Sequence, residues 1–139
     1  MNQWSVMTAT EQLGHAIIGA AMEVHTELGP GLYERVYAVC LADELRARGM
    51  AVQEEVAIPV RYRGRLQPLA YRVDLFVERT VIIEVKTVSK LADIHETQLR
   101  TYLRLTAAPL GILFNFSVSH LRHGYRKVLL EQRGGARPT

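Results

Sequence analysis

The feature that most constrains this chain is a change of hydrophobic period just after Gly49. Before it, Leu13, Ile17, Ala20, Ala21, Val24 and Leu28 recur at the spacing of one helix face. Thr8-Ala9-Thr10-Glu11 precedes them in the form of a capping box, and Gly29-Pro30-Gly31 stops the run. A second helix is predicted from Leu32 to Arg48, with Tyr33, Val36, Tyr37, Cys40, Leu41 and Leu45 on its apolar stripe. From Val52 the period is two. Val52, Glu54, Val56, Ile58, Val60 and Tyr62 fall on one face of a strand, and Gln53, Glu55, Ala57, Pro59 and Arg61 on the other.

Pro59 assigns that strand to a sheet edge, because proline donates no ladder hydrogen bond. Gly64 marks a turn, Leu69 to Val77 reads as a second strand and Val81 to Lys86 as a third, the three forming an antiparallel meander. A third helix is predicted from Asp93 to about Ala107, a buried strand from Leu110 to Phe116 and a last strand from Tyr125 to Leu130. The predicted order is α-α-β-β-β-α-β-β. A chain of 139 residues supports one core, giving a single domain over 1–133 and a flexible glycine-rich tail over 134–139.

Composition excludes more than it selects. Hydrophobic residues at 48% and charged residues at 22% argue against disorder and fibrous repeats. Cys40 is the single cysteine and has no internal partner for a disulfide. No stretch approaches the roughly 18 apolar residues of a membrane span, and the N-terminus lacks a signal-peptide pattern. A cytoplasmic protein with no membrane partner is expected. The net charge of +3 permits nucleic-acid contact without requiring it. Arg61, Arg63 and Arg65 would share one strand face near a hairpin tip, although an ordinary solvated edge strand explains them as well.

The chemistry concentrates in one hairpin. If Glu78-Arg79-Thr80 is its loop, Val77 faces Val81, Phe76 faces Ile82, and Asp74 lies opposite Glu84. Two like charges so placed repel by roughly 4 kcal/mol at about 4 Å and an effective dielectric of about 20. A hard divalent cation such as Mg²⁺, held by one or two carboxylates, a carbonyl and waters, compensates such a pair. Lys86 shares the face of Glu84 and can neutralise charge or polarise water. A solvent-facing strand edge is the plainer alternative for Glu84 and Lys86. Glu34, in the first turn of the second helix, borders the apolar stripe, or else only complements the helix dipole. Gln98 and Tyr102 stand one helical turn apart and can point the same way, unless Tyr102 is core and Gln98 its boundary.

Together these residues resemble the GxxExxY proteins, a bacterial and archaeal group in the PD-(D/E)XK nuclease superfamily. Gly31-Leu32-Tyr33-Glu34-Arg35-Val36-Tyr37 carries the naming motif. The likeness continues through Tyr71-Arg72-Val73-Asp74-Leu75, Ile82-Ile83-Glu84-Val85-Lys86, His95-Glu96-Thr97-Gln98-Leu99 with Tyr102, and Leu113-Phe114-Asn115-Phe116. It implies a restriction-endonuclease-like α/β core of α+β type, with a mixed central sheet flanked by helices. It implies Mg²⁺ or Mn²⁺ ligation by Asp74, Glu84, the Val85 main-chain carbonyl and Glu34, directly or through water. Lys86 becomes the catalytic lysine, and Gln98 and Tyr102 orient the site or hold phosphate. Val73 stands where the superfamily name has proline, which removes no chemical group. The expected function is Mg²⁺-dependent phosphodiester hydrolysis in DNA or RNA. The competing expectation is a catalytically silent nucleic-acid- or protein-binding module on the same fold, and for a domain this small a homodimer is also an expectation. His25 and His95 fit the family pattern, but helical histidines more often serve a core or a cap than a metal.

Overall fold

The computed structural model describes residues 6–131. The glycine-rich tail over 134–139 lies outside them. Helix α1 (Ala9–Leu28) begins at the expected cap: the Thr8 hydroxyl accepts from the Glu11 amide and the Glu11 carboxylate accepts from the Thr8 amide. Helix α2 (Glu34–Ala47) starts two residues later than its apolar pattern predicts, because Leu32 and Tyr33 belong to the glycine corner.

Strands β1 (Val52–Tyr62), β2 (Arg65–Val77) and β3 (Val81–Lys86) form the predicted meander. Helix α3 (Asp93–Thr106) then carries the chain to β4 (Leu110–Asn115), parallel to β3, and after a 3-10 turn at Leu121–His123 strand β5 (Tyr125–Leu129) closes the sheet antiparallel to β4. The sheet order β1-β2-β3-β4-β5 leaves β1, with Pro59, at an edge. His95 caps α3 by accepting the Ala92 amide, and buried His25 bonds the Val118 carbonyl oxygen, so both histidines have structural partners.

The molecule has three layers. Ile17, Ala21, Tyr37, Leu41 and Leu45 of α1 and α2 pack on Leu75, Ile83, Val85, Ile112 and Phe114 of one sheet face. Leu99, Tyr102 and Leu103 of α3 cover Ile58, Val73, Ile82 and Leu113 on the other. Burial of these apolar surfaces on both faces is the main favourable term for the fold. No helix among the described residues is long and apolar enough to cross a membrane.

Two expectations need correction. The strict alternation over β1 and β2 breaks at Glu55 and Asp74. Val52, Leu75 and Val77 belong to the α1/α2 side, whereas Val56, Ile58 and Val73 belong to the α3 side. Glu55 has φ +49, a left-handed conformation that interrupts the pleat, so both strands change face at this pair. Arg61, Arg63 and Arg65 also do not line one strand face. The second strand starts at Arg65, not Leu69, and Arg63-Gly64 form a two-residue turn with φ +51 and +76, the positive values of a primed hairpin turn. Arg65 opposes Tyr62, while Arg61 opposes Leu66.

Candidate active site

The site grows from the β2–β3 hairpin. Val77 pairs with Val81, Phe76 with Ile82 and Leu75 with Ile83, the register expected from a Glu78-Arg79-Thr80 loop. That loop has no glycine, yet Glu78 and Arg79 take φ +52 and +50. Glu78 donates its amide to the Ala51 carbonyl and accepts the Ala51 amide with its carboxylate, and these bonds hold the left-handed conformation in place.

Beyond Leu75 and Ile83 the two strands part, and side chains take over the ladder. Glu84 Oε2 accepts the Asp74 amide at 2.8 Å, and Asp74 Oδ2 accepts the Val85 amide at 2.7 Å. Each acid therefore satisfies a backbone donor that the separated strands would otherwise leave unpaired. One oxygen of each carboxylate, Asp74 Oδ1 and Glu84 Oε1, is left over. Lys86 Nζ stands 3.9 Å from Glu84 Oε1. The amide and carbonyl of a strand residue point to the same edge, so the Val85 carbonyl opens toward the same gap as its amide.

Charge is under strain there. Burial pushes the Glu84 carboxyl up to about 7, the charge of Asp74 adds to the push, and the Asp74 amide and Lys86 oppose it. Asp74 is raised too, first by burial, with Glu34 and Glu55 adding repulsion against the pull of the Val85 amide and Lys86. Tyr102, on α3, is raised by burial and then by the charges of Glu84, Tyr71 and Asp74.

Glu34 arrives from the opposite layer. Gly31, at φ +106, turns the chain into α2, and the buried Tyr37 hydroxyl fastens the corner by accepting from the Leu32 amide and donating to the Gly29 carbonyl. The Tyr37 ring stacks on Phe116 with centroids 4.4 Å apart. Held in the first turn, Glu34 accepts the Thr87 amide at 3.0 Å, just past Lys86. Tyr33, Glu34, Ala38, Glu55, Asp74 and Thr87 line one cleft of about 460 Å³. Because β2 and β3 diverge, α2 supplies Glu34 from one side and α3 supplies Tyr102 from the other. Gln98 is exposed on α3, one turn before Tyr102.

Three contributors escaped the sequence reading. The Thr87 amide anchors Glu34. Tyr71 meets Tyr102 with ring centroids 5.4 Å apart. Asn115, 2% exposed, accepts the Val88 amide and donates to the Val88 carbonyl, clamping the segment after Lys86. A buried amide ending an otherwise apolar strand was the available signal for Asn115.

The donors suit a hard cation. Two carboxylates that each keep one oxygen off the backbone, with the Val85 carbonyl on the same strand edge, make an oxygen set, and burial has raised both carboxyls. Among the described residues no three His, Cys, Asp or Glu side chains form a metal-binding group, so waters would complete a shell built on Asp74 and Glu84.

No curated protein sequence matches the chain. The solved structure of SSO0001 superposes with a TM-score of 0.51 at 16% identity, over 85% of this chain and 66% of that one, a likeness of fold. The chain therefore spans just under two-thirds of that protein's length. A family model for the PD-(D/E)XK nuclease superfamily matches residues 11–128, from the first turn of α1 into β5 and across the whole Asp74–Glu84–Lys86 hairpin, and the chain belongs to that superfamily.

Proposed function

We propose that this protein hydrolyses phosphodiester bonds of DNA or RNA at the Asp74–Glu84–Lys86 centre, with Mg²⁺ or Mn²⁺ as cofactor. The observation that carries the reading is the pair of bonds that replaces the ladder, Asp74 amide to Glu84 and Val85 amide to Asp74, which leaves one oxygen of each buried, pKa-raised carboxylate without a backbone partner. Asp74, Glu84 and the Val85 carbonyl would hold the cation, with Glu34 reaching it through water from its seat on the Thr87 amide. When bound, the cation supplies Lewis-acid charge to the phosphate and acidifies water.

The chain's own groups do the rest. Glu84 is in its anionic form above about pH 7 and keeps Lys86 near the gap. The Lys86 ammonium stabilises negative charge as water attacks phosphorus and the bond to the leaving oxygen breaks. Tyr102 and Gln98 offer a phenol and an amide to orient a phosphate. The closeness of the sequence to the GxxExxY pattern supports Glu34 as the upstream acid. The test is calorimetric titration with Mg²⁺ and Mn²⁺ beside cleavage of single-stranded, duplex and branched nucleic acids. Metal-dependent cleavage that disappears in Asp74→Asn supports the reading, and metal binding without cleavage of any substrate overturns it in favour of a silent binding module. That second reading draws on the exposed position of Gln98 and on Glu34 being tied to a backbone amide.

A further inference from the structure

The β1–β2 ribbon runs well beyond the part of the sheet that β3 supports. Strand β3 pairs with β2 only at Leu75, Phe76 and Val77, and α3 covers the ribbon no farther than Ile58, Val73 and Tyr71. From Pro59 to Arg72 every residue except Val60 and Gln67 is exposed. This arm carries Arg61, Arg63, Arg65 and Arg72 and no acidic residue. Its four positive charges exceed the net charge of +3 for the whole chain. Interleaved with them are Tyr62, Leu66, Leu69 and Tyr71, exposed by 61, 57, 78 and 48%.

An unpaired ribbon with apolar side chains is an aggregation hazard that proteins normally blunt. Here the ladder shifts register at Gln67-Pro68-Leu69 opposite Val60, and such a bulge with proline bends the edge and interrupts pairing. The arginines at the tip further oppose self-association. The arm is thus fitted to remain free, with planar rings and guanidinium groups facing solvent.

We propose that this arm is a nucleic-acid-binding element that holds the substrate on one side of the bond being cut. The inference rests on the phosphodiesterase reading of the Asp74–Glu84–Lys86 centre and names the surface that reading lacks. Charge complementarity selects a polyanion, and the accessible tyrosines give bases a stacking partner, which neither a lipid surface nor an acidic peptide requires. Continuity selects the direction: Tyr71, at the root of the arm, touches Tyr102, whose hydroxyl feels the charges of Glu84 and Asp74. From Asp74 to the turn at Gly64 the strand reaches at most roughly 33 Å. That length matches up to about ten nucleotide steps of a helical strand.

The arginines are not equivalent. The Arg61 guanidinium bonds the Gly64 carbonyl and that of Arg72 bonds the Glu55 carbonyl, so both also support the ribbon. Arg63 lies over the Tyr62 ring with its guanidinium carbon 5.3 Å from the centroid, and with Arg65 it forms the pair to remove. The test compares the full-length wild type, R63Q/R65Q and Asp74→Asn in Ca²⁺ buffer, by fluorescence anisotropy with 5- and 20-nucleotide probes, single-stranded and duplex, over a salt series. Thermal unfolding of each variant runs alongside.

The double variant is expected to melt like the wild type and to bind the 20-nucleotide probe about tenfold more weakly. The slope of log affinity against log salt should shrink by about 2, one phosphate per arginine. The 5-nucleotide probe should bind the wild type weakly and discriminate little between the two. Equal affinity and equal salt slope for wild type and R63Q/R65Q on the long probe would overturn the proposal. So would arm-dependent capture of phosphatidylserine vesicles with no nucleic-acid binding. Failure of the phosphodiesterase reading is separately visible: arm-dependent binding without Mg²⁺- or Mn²⁺-dependent cleavage leaves the arm standing and removes the enzyme. Cleavage indifferent to R63Q/R65Q does the reverse.

Discussion

Asp74 and Glu84 are joined by a side chain-to-backbone bond and share a strand edge: the Glu84 carboxylate accepts the Asp74 amide at 2.8 Å, and the Asp74 carboxylate accepts the amide of Val85, next to Glu84, at 2.7 Å. Two acids that repel at close range are thereby held in register by bonds that neither can give up cheaply. Each amide bond lowers the pKa of the acid that accepts it, while burial raises both acids, helped at Glu84 by the charge of Asp74 and at Asp74 by the charges of Glu34 and Glu55. The net result is that both acids keep raised pKa values despite their amide bonds.

Asp74→Asn keeps an oxygen for the Val85 amide and removes the charge, so the fold is expected to survive. Metal affinity should fall by more than about tenfold, since a buried oxygen ligand loses its formal charge, and cleavage should vanish. Asp74→Ala adds an unsatisfied amide and should cost about 1–3 kcal/mol in stability as well. Calorimetry and urea unfolding of the two variants separate these effects. Wild-type metal affinity in Asp74→Asn would remove Asp74 from the ligand set.

Lys86→Ala is expected to retain metal and lose turnover, because an ammonium cannot ligate a cation. Its loss also removes a charge that lowers the Glu84 pKa, so the protonation midpoint of Glu84 should move upward. The measurement is single-turnover cleavage at saturating Mg²⁺ beside a metal titration. Cleavage at the wild-type rate would reduce Lys86 to a strand-edge charge.

Stability without metal should fall as pH rises. Glu84 has its folded pKa raised from 4.5 to about 7, so between those values the folded protein binds more protons than the unfolded chain. The stability from this group is fully present below pH 4.5 and is lost as pH rises through about 7, on the order of 3 kcal/mol in all. Metal affinity should run the other way, dropping about tenfold per pH unit below that pKa as protons compete for Glu84. Melting curves in chelator from pH 4 to 8, on the order of that window, and calorimetry at the same pH values give the two signs. A metal-free protein that gains stability across this range would contradict the assignment.

Glu84→Gln keeps an oxygen for the Asp74 amide and relieves the repulsion. In chelator at pH 8, about one unit above the Glu84 midpoint, its melting temperature should exceed that of the wild type. At a hundredfold excess of Mg²⁺ over Kd the order should reverse, because the wild type alone gains about 2.7 kcal/mol from binding. A variant less stable in both buffers would mean that Glu84 serves the fold through Lys86 and the Asp74 amide, with no cation.

Tyr37→Phe tests the corner that presents Glu34. The hydroxyl serves both the Leu32 amide and the Gly29 carbonyl. Its loss from a buried position should cost about 1–3 kcal/mol in urea unfolding. Cleavage should weaken with it, through the displaced first turn of α2. Unchanged stability would show that the glycines hold the corner alone.

Much of this molecule was written locally. The Thr8–Glu11 cap, the element order, the edge position of Pro59 and the hairpin register from Val77–Val81 to Leu75–Ile83 follow from caps, periodicity and a three-residue loop, signals that are local along the chain. Tertiary structure decided the rest. The parallel pairing of β3 with β4, the change of face at Glu55 and Asp74, and the bond from Thr87 to Glu34 across 53 positions depend on which helix covers which side of the sheet. A period-two pattern cannot encode a face change that two strands make together. It continues to read as alternation while the backbone turns over, and it is that turn, with the parting of β2 from β3, that opens the gap between Asp74 and Glu84 to residues from both helical layers.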